Sequence, residues 1–369
     1  MKVDGTHRRS LWPADGRDAL FVIDQRRLPH ECVVARLEDL AAVDAAICQM
    51  TVRGAPLIGA TAAYGVALQM NADAGDAALD LALQRLAATR PTAVNLRWAL
   101  ERQAARLRPL APAVRADAAW DEADAIADAD VAANRALGAH GLALLRTLQR
   151  QHAGRRLNLL THCNAGWLAT VDWGTALAPV YLAQAAGLDL HLWVDETRPR
   201  NQGASLTAWE LGQQGVAHTL VADNAGGHLM QRGLVDAVIV GCDRVSARGD
   251  VANKIGTYLK ALAARDNGVP FWVAMPLSTL DRRVSDGLRD IPIEQRDARE
   301  VTHLGGRGAD GVVVEVQLAP DGTSALNPAF DVTPARLVDA LITERGVVPA
   351  TAEAIAALTR AAPGPADDG

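Results

Sequence analysis

The feature that most constrains this chain is a change of rhythm near residue 155. Beyond it, short apolar runs alternate with longer stretches of helical pattern. The runs are Leu157–Thr161, Leu188–Val194, Thr219–Ala222, Ala237–Gly241 and Phe271–Met275. Each is bounded by polar, Gly or Pro residues, and the segments between them are long enough for crossover helices. Apolar strands that alternate with helices form a parallel sheet covered on both faces. The pattern predicts a Rossmann-like, doubly wound α/β domain over residues 151–360.

Upstream, the period is helical. Leu40, Val43, Ile47 and Met50 fall three and four apart and make one apolar helix face. Further helical segments are expected near 55–73, 76–89 and 93–107. Pro109 and Pro112 interrupt the pattern, and a long helical run follows from Trp120 to Gln151, broken only by Gly138 and Gly141. Residues 1–150 therefore read as a mainly helical N-terminal domain with a short extended start near 18–24. The Pro-, Gly- and Asp-rich residues 361–369 read as a disordered tail.

Charge and composition remove several classes of function. With 37 basic and 43 acidic side chains the net charge is −6, so no global basic field is available to a nucleic-acid backbone. No apolar run reaches the length of a membrane span. The first 25 residues contain only Ala19–Ile23 as an apolar stretch, too short for a secretion signal. Four cysteines in 369 residues are too few for a disulfide framework, so reduced thiols in the cytoplasm are expected.

In an open parallel sheet, ligands bind beyond the carboxyl ends of the strands. Here those ends carry reactive side chains. The first run leads into His162-Cys163-Asn164-Ala165-Gly166, and the second into Asp195-Glu196-Thr197-Arg198 with Gln202 beyond. The third ends at Asp223-Asn224, and the fourth leads through Cys242 into Asp243-Arg244. A cysteine is more often a small buried apolar residue than a nucleophile. Position in a Gly/Asn turn at a strand end singles out Cys163 and does not single out Cys32, Cys48 or Cys242, of which Cys242 is expected to face the core. Asp243 could instead cap a helix or pair with Arg244, and Asp223 could cap the helix that starts near Asn224. His162 and Cys163 are adjacent in an extended segment, so their side chains diverge and a Cys–His pair is not expected. Metal-ligand spacings such as C-x-x-C or H-E-x-x-H are absent, as are G-x-G-x-x-G after the first strand and a P-loop. Three cationic turns remain. Arg53-Gly54-Ala55-Pro56 opens a helix, where free N–H groups favour phosphate. Gly249 to Lys254 reads as a loop leading into another helix, with Asn253 and Lys254 near its first turn. Arg90-Pro91-Thr92 lies between helices. Together they suggest a small phosphorylated ligand held between the domains.

Seven blocks then resemble the methylthioribose-1-phosphate isomerases. They are Arg53 to Leu68, Arg90 to Leu100, Thr161 to Ala176, Asp195 to Leu211, Gly249 to Tyr258, Pro276 to Asp281 and Asn327 to Pro334, in order along nearly the whole chain. The wider family also resembles the regulatory subunits of initiation factor 2B and the ribose-1,5-bisphosphate isomerases, which stand as alternative readings. Asn164-Ala165-Gly166 and Thr207-Ala208-Trp209-Glu210 are similar to the methylthioribose enzymes. Arg200-Asn201 and Cys242 depart from the usual pattern. The resemblance implies an aldose–ketose isomerase of methionine salvage, free of cofactor and metal, acting on a sugar phosphate as a homodimer. It implies that Cys163 and Asp243 are the catalytic pair. Arg53, Gly54, Ala55, Arg90, Gln202, Asn253 and Lys254 match the substrate-binding positions.

Overall fold

The computed structural model describes residues 1–90 and 93–360. The expectation of a disordered tail at 361–369 lies outside the described residues. The chain opens with a small ribbon, β1 (Lys2–Val3) and β2 (Thr6–His7), and a three-stranded antiparallel sheet of β3 (Leu11–Pro13), β4 (Leu20–Ile23) and β5 (Val34–Leu37). Only the β4 part of this was legible as an extended segment.

Five helices follow: α1 (Leu40–Cys48), α2 (Ala55–Ala72), α3 (Asp76–Thr89), α4 (Val94–Leu107) and α5 (Pro112–Gln151). Nearly all of α2 is buried, because it is apolar or small on every side. Its Ala and Gly residues let α1, α3, α4 and α5 approach closely around it. Pro112 begins α5 instead of breaking it. A proline at the first helical position lacks only an N–H that would be unpaired anyway. The forty-residue α5 runs through Gly138 and Gly141, about 60 Å in all. Its first half packs Trp120 and Ile126 into the helical core with Tyr64 and Leu86. Its second half packs Leu137, Leu145 and Leu148 on the sheet described next.

The sheet is built from β6 (Leu157–Thr161), β7 (Leu190–Asp195), β8 (His218–Val221), β9 (Ala237–Val240), β12 (Phe271–Ala274), β17 (Ala340–Thr343) and β18 (Gly346–Val348). Their order is β18-β17-β12-β9-β6-β7-β8, and all neighbours are parallel except β17 with β18. Alternate residues serve opposite faces. Leu159, Leu192, Ile239 and Ile342 join one core with α5 and α6 (Ala178–Ala185). Leu160, Val238, Val273 and Leu341 join the other with α8 (Ala225–Gln231), α9 (Thr257–Asp266) and α12 (Ala352–Arg360). The five anticipated strands agree with the structure to within two residues. The strands β17 and β18 were not anticipated. Nor was a second, four-stranded sheet ordered β13-β10-β11-β16, with β10 (Arg244–Ser246), β11 (Val251–Lys254), β13 (Leu280–Asp281) and β16 (Phe330–Thr333). A hairpin of β14 (His303–Arg307) and β15 (Val313–Gln317) projects from the segment before β16.

The topology positions the site. From β6 the chain adds β7 and β8 on one side, then crosses back past β6 to add β9 on the other. The connections leave β6 and β9 in opposite directions, which opens a crevice at their carboxyl ends.

Candidate active site

Cys163 follows β6 and Asp243 follows β9, so the two stand on either side of that switch point. Arg53, Gly54, Ala55, Arg90, Cys163, Gln202, Asp243, Asn253 and Lys254 all line one cavity there. The N-terminal end of α2 forms part of its wall. Gly54 caps α2 with φ of 102°, a region open to glycine, and a Cβ on it would lie 2.4 Å from the Ala169 carbonyl oxygen. No side chain caps this end. The N–H groups of the first turn are thus left for a ligand, with the helix dipole favouring an anion.

Cys163 itself has φ of 65°, uncommon for a residue with a Cβ. Two hydroxyls hold this turn. The Cys163 N–H donates to Thr197 Oγ1 at 2.7 Å, and Thr207 Oγ1 donates to the Cys163 carbonyl at 2.7 Å. The sulfur lies 3.5 Å from Gln202 Oε1. Gln202 stands just before a single π-helical turn, Gly203–Thr207, that runs into α7 (Ala208–Gln214).

Asp243 keeps some surface open to the cavity but is otherwise enclosed by protein. Burial pushes its carboxyl above the ordinary aspartate range, while Lys254, Arg53 and Arg90 pull in the other direction. The neighbouring Arg244 lies 3.5 Å from Asp281 and also feels the Asp243 charge. Lys254 is buried, and burial pushes its ammonium down, against the attraction of Cys163 and Asp243. Its Nζ lies 4.5 Å from the centre of the Phe330 ring. Asn253 and Lys254 are on strand β11, paired with β16, and not in a first helical turn as the sequence suggested. The loop reading failed because Val251–Lys254 carries only one β-branched residue and becomes a strand through its pairing with β10 and β16, and α9 starts only at Thr257. Arg90 ends α3 and donates to Glu294 at 3.0 Å. Pro91 and Thr92 of that turn lie outside the described residues.

His162 forms no pair with Cys163 and is held by other partners, although the turn at Cys163 is left-handed and not extended. The His162 Nδ1 is 2.8 Å from Asp195 and its Nε2 is 2.8 Å from the Ile255 carbonyl. His162, Asp195 and Asp223 could together hold a cation. The Lys260 ammonium, 3.3 Å from the same Asp195 oxygen, already supplies positive charge there. Asp223 does not cap α8. It accepts from the Thr197 and Arg198 N–H groups, each at 2.7 Å, and so fixes the loop that carries Thr197. Cys242 borders the cavity instead of facing only the core. Burial pushes its thiol up to about 12. Sequence reasoning missed Asn164, Thr175 and Phe330 as cavity residues. Asn164 carried a signal, its place directly after Cys163, whereas Phe330 reaches the site only through the β11–β16 pairing.

A helical layer closed over the switch point of a Rossmann-like sheet, with an anion-receptive helix end, defines a class. Residues 51–350 match the Initiation factor 2 subunit family, and the chain belongs to it. Within that class its relatives are more specific. It is 62% identical to the methylthioribose-1-phosphate isomerase of Rhodospirillum rubrum over 363 residues, covering 97% of this chain and 93% of that protein. It is 62% identical to the enzyme of the same name from Acidiphilium cryptum, covering 97% of each. The solved structure of 5-methylthioribose 1-phosphate isomerase from Pyrococcus horikoshii superposes with a TM-score of 0.83 at 40% identity, covering 97% of both chains. Translation initiation factor eIF-2B subunit delta from A. fulgidus superposes at 0.76 with 39% identity, over 93% of this chain and 96% of that one.

Proposed function

We propose that this chain converts 5-methylthioribose 1-phosphate into 5-methylthioribulose 1-phosphate, and that Asp243 and Cys163 carry the chemistry. Structures named for an isomerase and for a translation factor share this fold, so the fold alone does not choose between catalysis and regulation. The observation that carries the reading is a thiol and a buried carboxyl on opposite sides of one cavity, beside three cations. A pure binding module has no use for such a pair.

The phosphate on the anomeric oxygen blocks the spontaneous ring opening of a free sugar, so the ring must be opened by acid. Asp243, its carboxyl favoured in the protonated form by burial, donates that proton to the ring oxygen as the bond from C1 breaks. Hydrogen then passes from C2 to C1. Cys163 assists that transfer, as base or by stabilising developing charge. The proton of the C2 hydroxyl returns to Asp243 as the ketone forms, which resets the acid. C1 is reduced and C2 oxidised within one molecule, so the balance closes without an outside oxidant. Arg53, Arg90, Lys254 and the start of α2 hold the phosphate, with Gln202 and Asn253 on the sugar hydroxyls.

A second feature supports the methylthio group. Beside Asp243 lies a recess whose walls include Ile58, Ala93, Ile291, Pro292, Ile293 and Phe330, apolar surface that suits a methylthio group, with Arg90 and Arg244 also in its lining. A phosphate at C5 would need cations of its own. Arg198 donates to the Pro199 and Val301 carbonyls, Arg200 pairs with Glu300, and Arg244 faces Asp281. We also propose that residues 1–150 and 151–360 work as two units closing on the ligand, that the chain acts in the cytoplasm, and that it is a homodimer. Among the described residues no helix is long and apolar enough to cross a membrane. Incubation with 5-methylthioribose 1-phosphate, followed by NMR, tests the activity. The anomeric proton signal is expected to disappear as a ketose forms. A purified protein that leaves it intact and elutes only with partner subunits would support the regulatory alternative.

A further inference from the structure

Below the cavity lies a buried carboxylate that the reaction does not use. Glu210, on α7, has no exposed surface. Four donors converge on it: Asn164 Nδ2 at 3.0 Å and the Leu168 N–H at 2.9 Å on one oxygen, the Trp167 N–H at 2.9 Å and the Tyr181 hydroxyl at 2.8 Å on the other. All four give hydrogens, which is the arrangement an ionised carboxylate requires. Burial pushes the Glu210 carboxyl up, and the Asn164, Leu168 and Tyr181 hydrogen bonds and the Arg53 charge oppose that shift. The backbone is shaped around it. A Cβ at Gly166 would sit 1.7 Å from a Glu210 oxygen.

Asn164 links this carboxylate to the phosphate-binding wall. Its amide nitrogen faces Glu210 and Thr207 Oγ1, so its amide oxygen is turned toward Arg53. Arg53 Nη1 donates to that oxygen at 2.5 Å and Nη2 donates to the Asn164 carbonyl at 3.0 Å. The orientation of Asn164 is thus fixed at both ends. Reversing the amide would put an oxygen against a carboxylate and an NH₂ against a guanidinium.

We infer that Glu210 is a positioning residue for substrate binding: through the Asn164 amide it holds the Arg53 guanidinium in place to receive the phosphate. The inference rests on the assignment of Arg53 to the phosphate made under the proposed function. A carboxylate placed behind Asn164 orients the arginine through two of its five N–H groups and leaves its charge without a carboxylate in direct contact. A direct Arg53–Glu210 pair would compete with the phosphate. The Asn164 relay puts a neutral acceptor, not an anion, against the guanidinium.

The test compares Glu210→Gln, Asn164→Ala and the double variant for KM, kcat and inhibition by inorganic phosphate. Glu210→Gln replaces one acceptor oxygen with an NH₂ that faces donors, which loosens Asn164. The expected result is a rise of about tenfold in KM and in the phosphate Ki, with kcat within about threefold of the wild-type value. Asn164→Ala should give a similar rise. The double variant should bind phosphate no worse than Asn164→Ala alone, because Glu210 acts through that amide. Wild-type KM and Ki in a Glu210→Gln protein whose Tm alone has fallen would overturn the inference, as would penalties that add in the double variant. If Glu210→Gln does not fold, Asn164→Ala decides: a raised Ki supports the relay and an unchanged Ki overturns it. Arg53→Ala separates this from the underlying reading. Unchanged KM there removes Arg53 from the phosphate site, whereas raised KM there with normal Glu210→Gln kinetics removes only the relay.

Discussion

Replacing Asp243 with Asn changes one atom and should separate the two things this residue does. The amide keeps the shape of the carboxyl but has no proton to release to the ring oxygen. Losing a positioned general acid costs about 10²- to 10⁴-fold, which is about 3 to 5.5 kcal/mol of barrier. Binding should not suffer. Arg53, Arg90 and Lys254 lose a carboxylate that faces them, so the cation cluster should hold inorganic phosphate as well as before or better. Stability should move the opposite way to activity. The folded carboxyl is raised above the value near 3.9 that it has in an unfolded chain. Between those two values the unfolded state binds fewer protons, so the native protein loses stability as pH rises through that window, and the penalty is complete above it. Asparagine carries no such penalty, and the variant should melt no lower than the wild type at neutral pH. The wild-type kcat should also fall as pH rises through the raised pKa, and that limb should vanish from any residual activity of the variant. NMR turnover, phosphate inhibition and a thermal melt at pH 7 read all of this. Near wild-type turnover in a folded Asp243→Asn protein would refute the acid assignment outright, and a lowered Tm would refute the account of its burial.

Cys163→Ala should fold, bind inorganic phosphate normally and lose about 10²-fold or more in kcat; turnover within a few-fold of wild type would remove the thiol from the mechanism. Cys242→Ala, although it also borders the cavity, should leave kcat within about threefold. Its thiol is held near 12, so iodoacetamide at pH 8 should leave Cys242 unmodified in the native protein, as peptide mass spectrometry would show. Ribose 1,5-bisphosphate should be turned over with a kcat/KM lower by about 10²-fold or more than the methylthio sugar, because its second phosphate would face a largely apolar recess whose two arginines already have carboxylate partners, Arg90 with Glu294 and Arg244 with Asp281. Equal efficiencies would overturn the substrate assignment and leave the isomerase chemistry standing.

What could be read from the sequence follows what is local. The helices α2 to α4 and the first five parallel strands announce themselves through period and bounding residues. The convergence of strand ends on one edge then follows from the rules of parallel sheets. Cys163 and Asp243 were visible for that reason, since each comes just after a buried apolar run. The pieces that were not legible depend on contacts far apart in the chain. The strand β11 is four residues long; its first half pairs with nearby β10, but Asn253 and Lys254 are paired with β16, nearly eighty residues later. No window around Asn253 and Lys254 could distinguish it from a loop. Phe330 is a cavity residue for the same reason. Glu210 reads as an ordinary charged position on a helix. Only the fold shows that it is buried against the turn after Cys163.

These long-range contacts also bear on how one fold can serve different ends. The switch point and the open end of α2 are consequences of topology, and they suffice to hold a phosphate. Catalysis asks for more: a carboxyl kept from water yet near cations, and a thiol presented by a turn in a left-handed conformation. In this chain both demands are met by groups that bind no ligand. Thr197 and Thr207 hold the Cys163 turn, Asp223 holds Thr197, and burial raises Asp243 against the pull of Lys254, Arg53 and Arg90. Loss of Asp223 would leave the cations in place and the pocket able to take an anion. The thiol would lose its setting. On this fold, the chemistry of the site therefore rests on the residues that hold Cys163 in shape as much as on those that line the cavity.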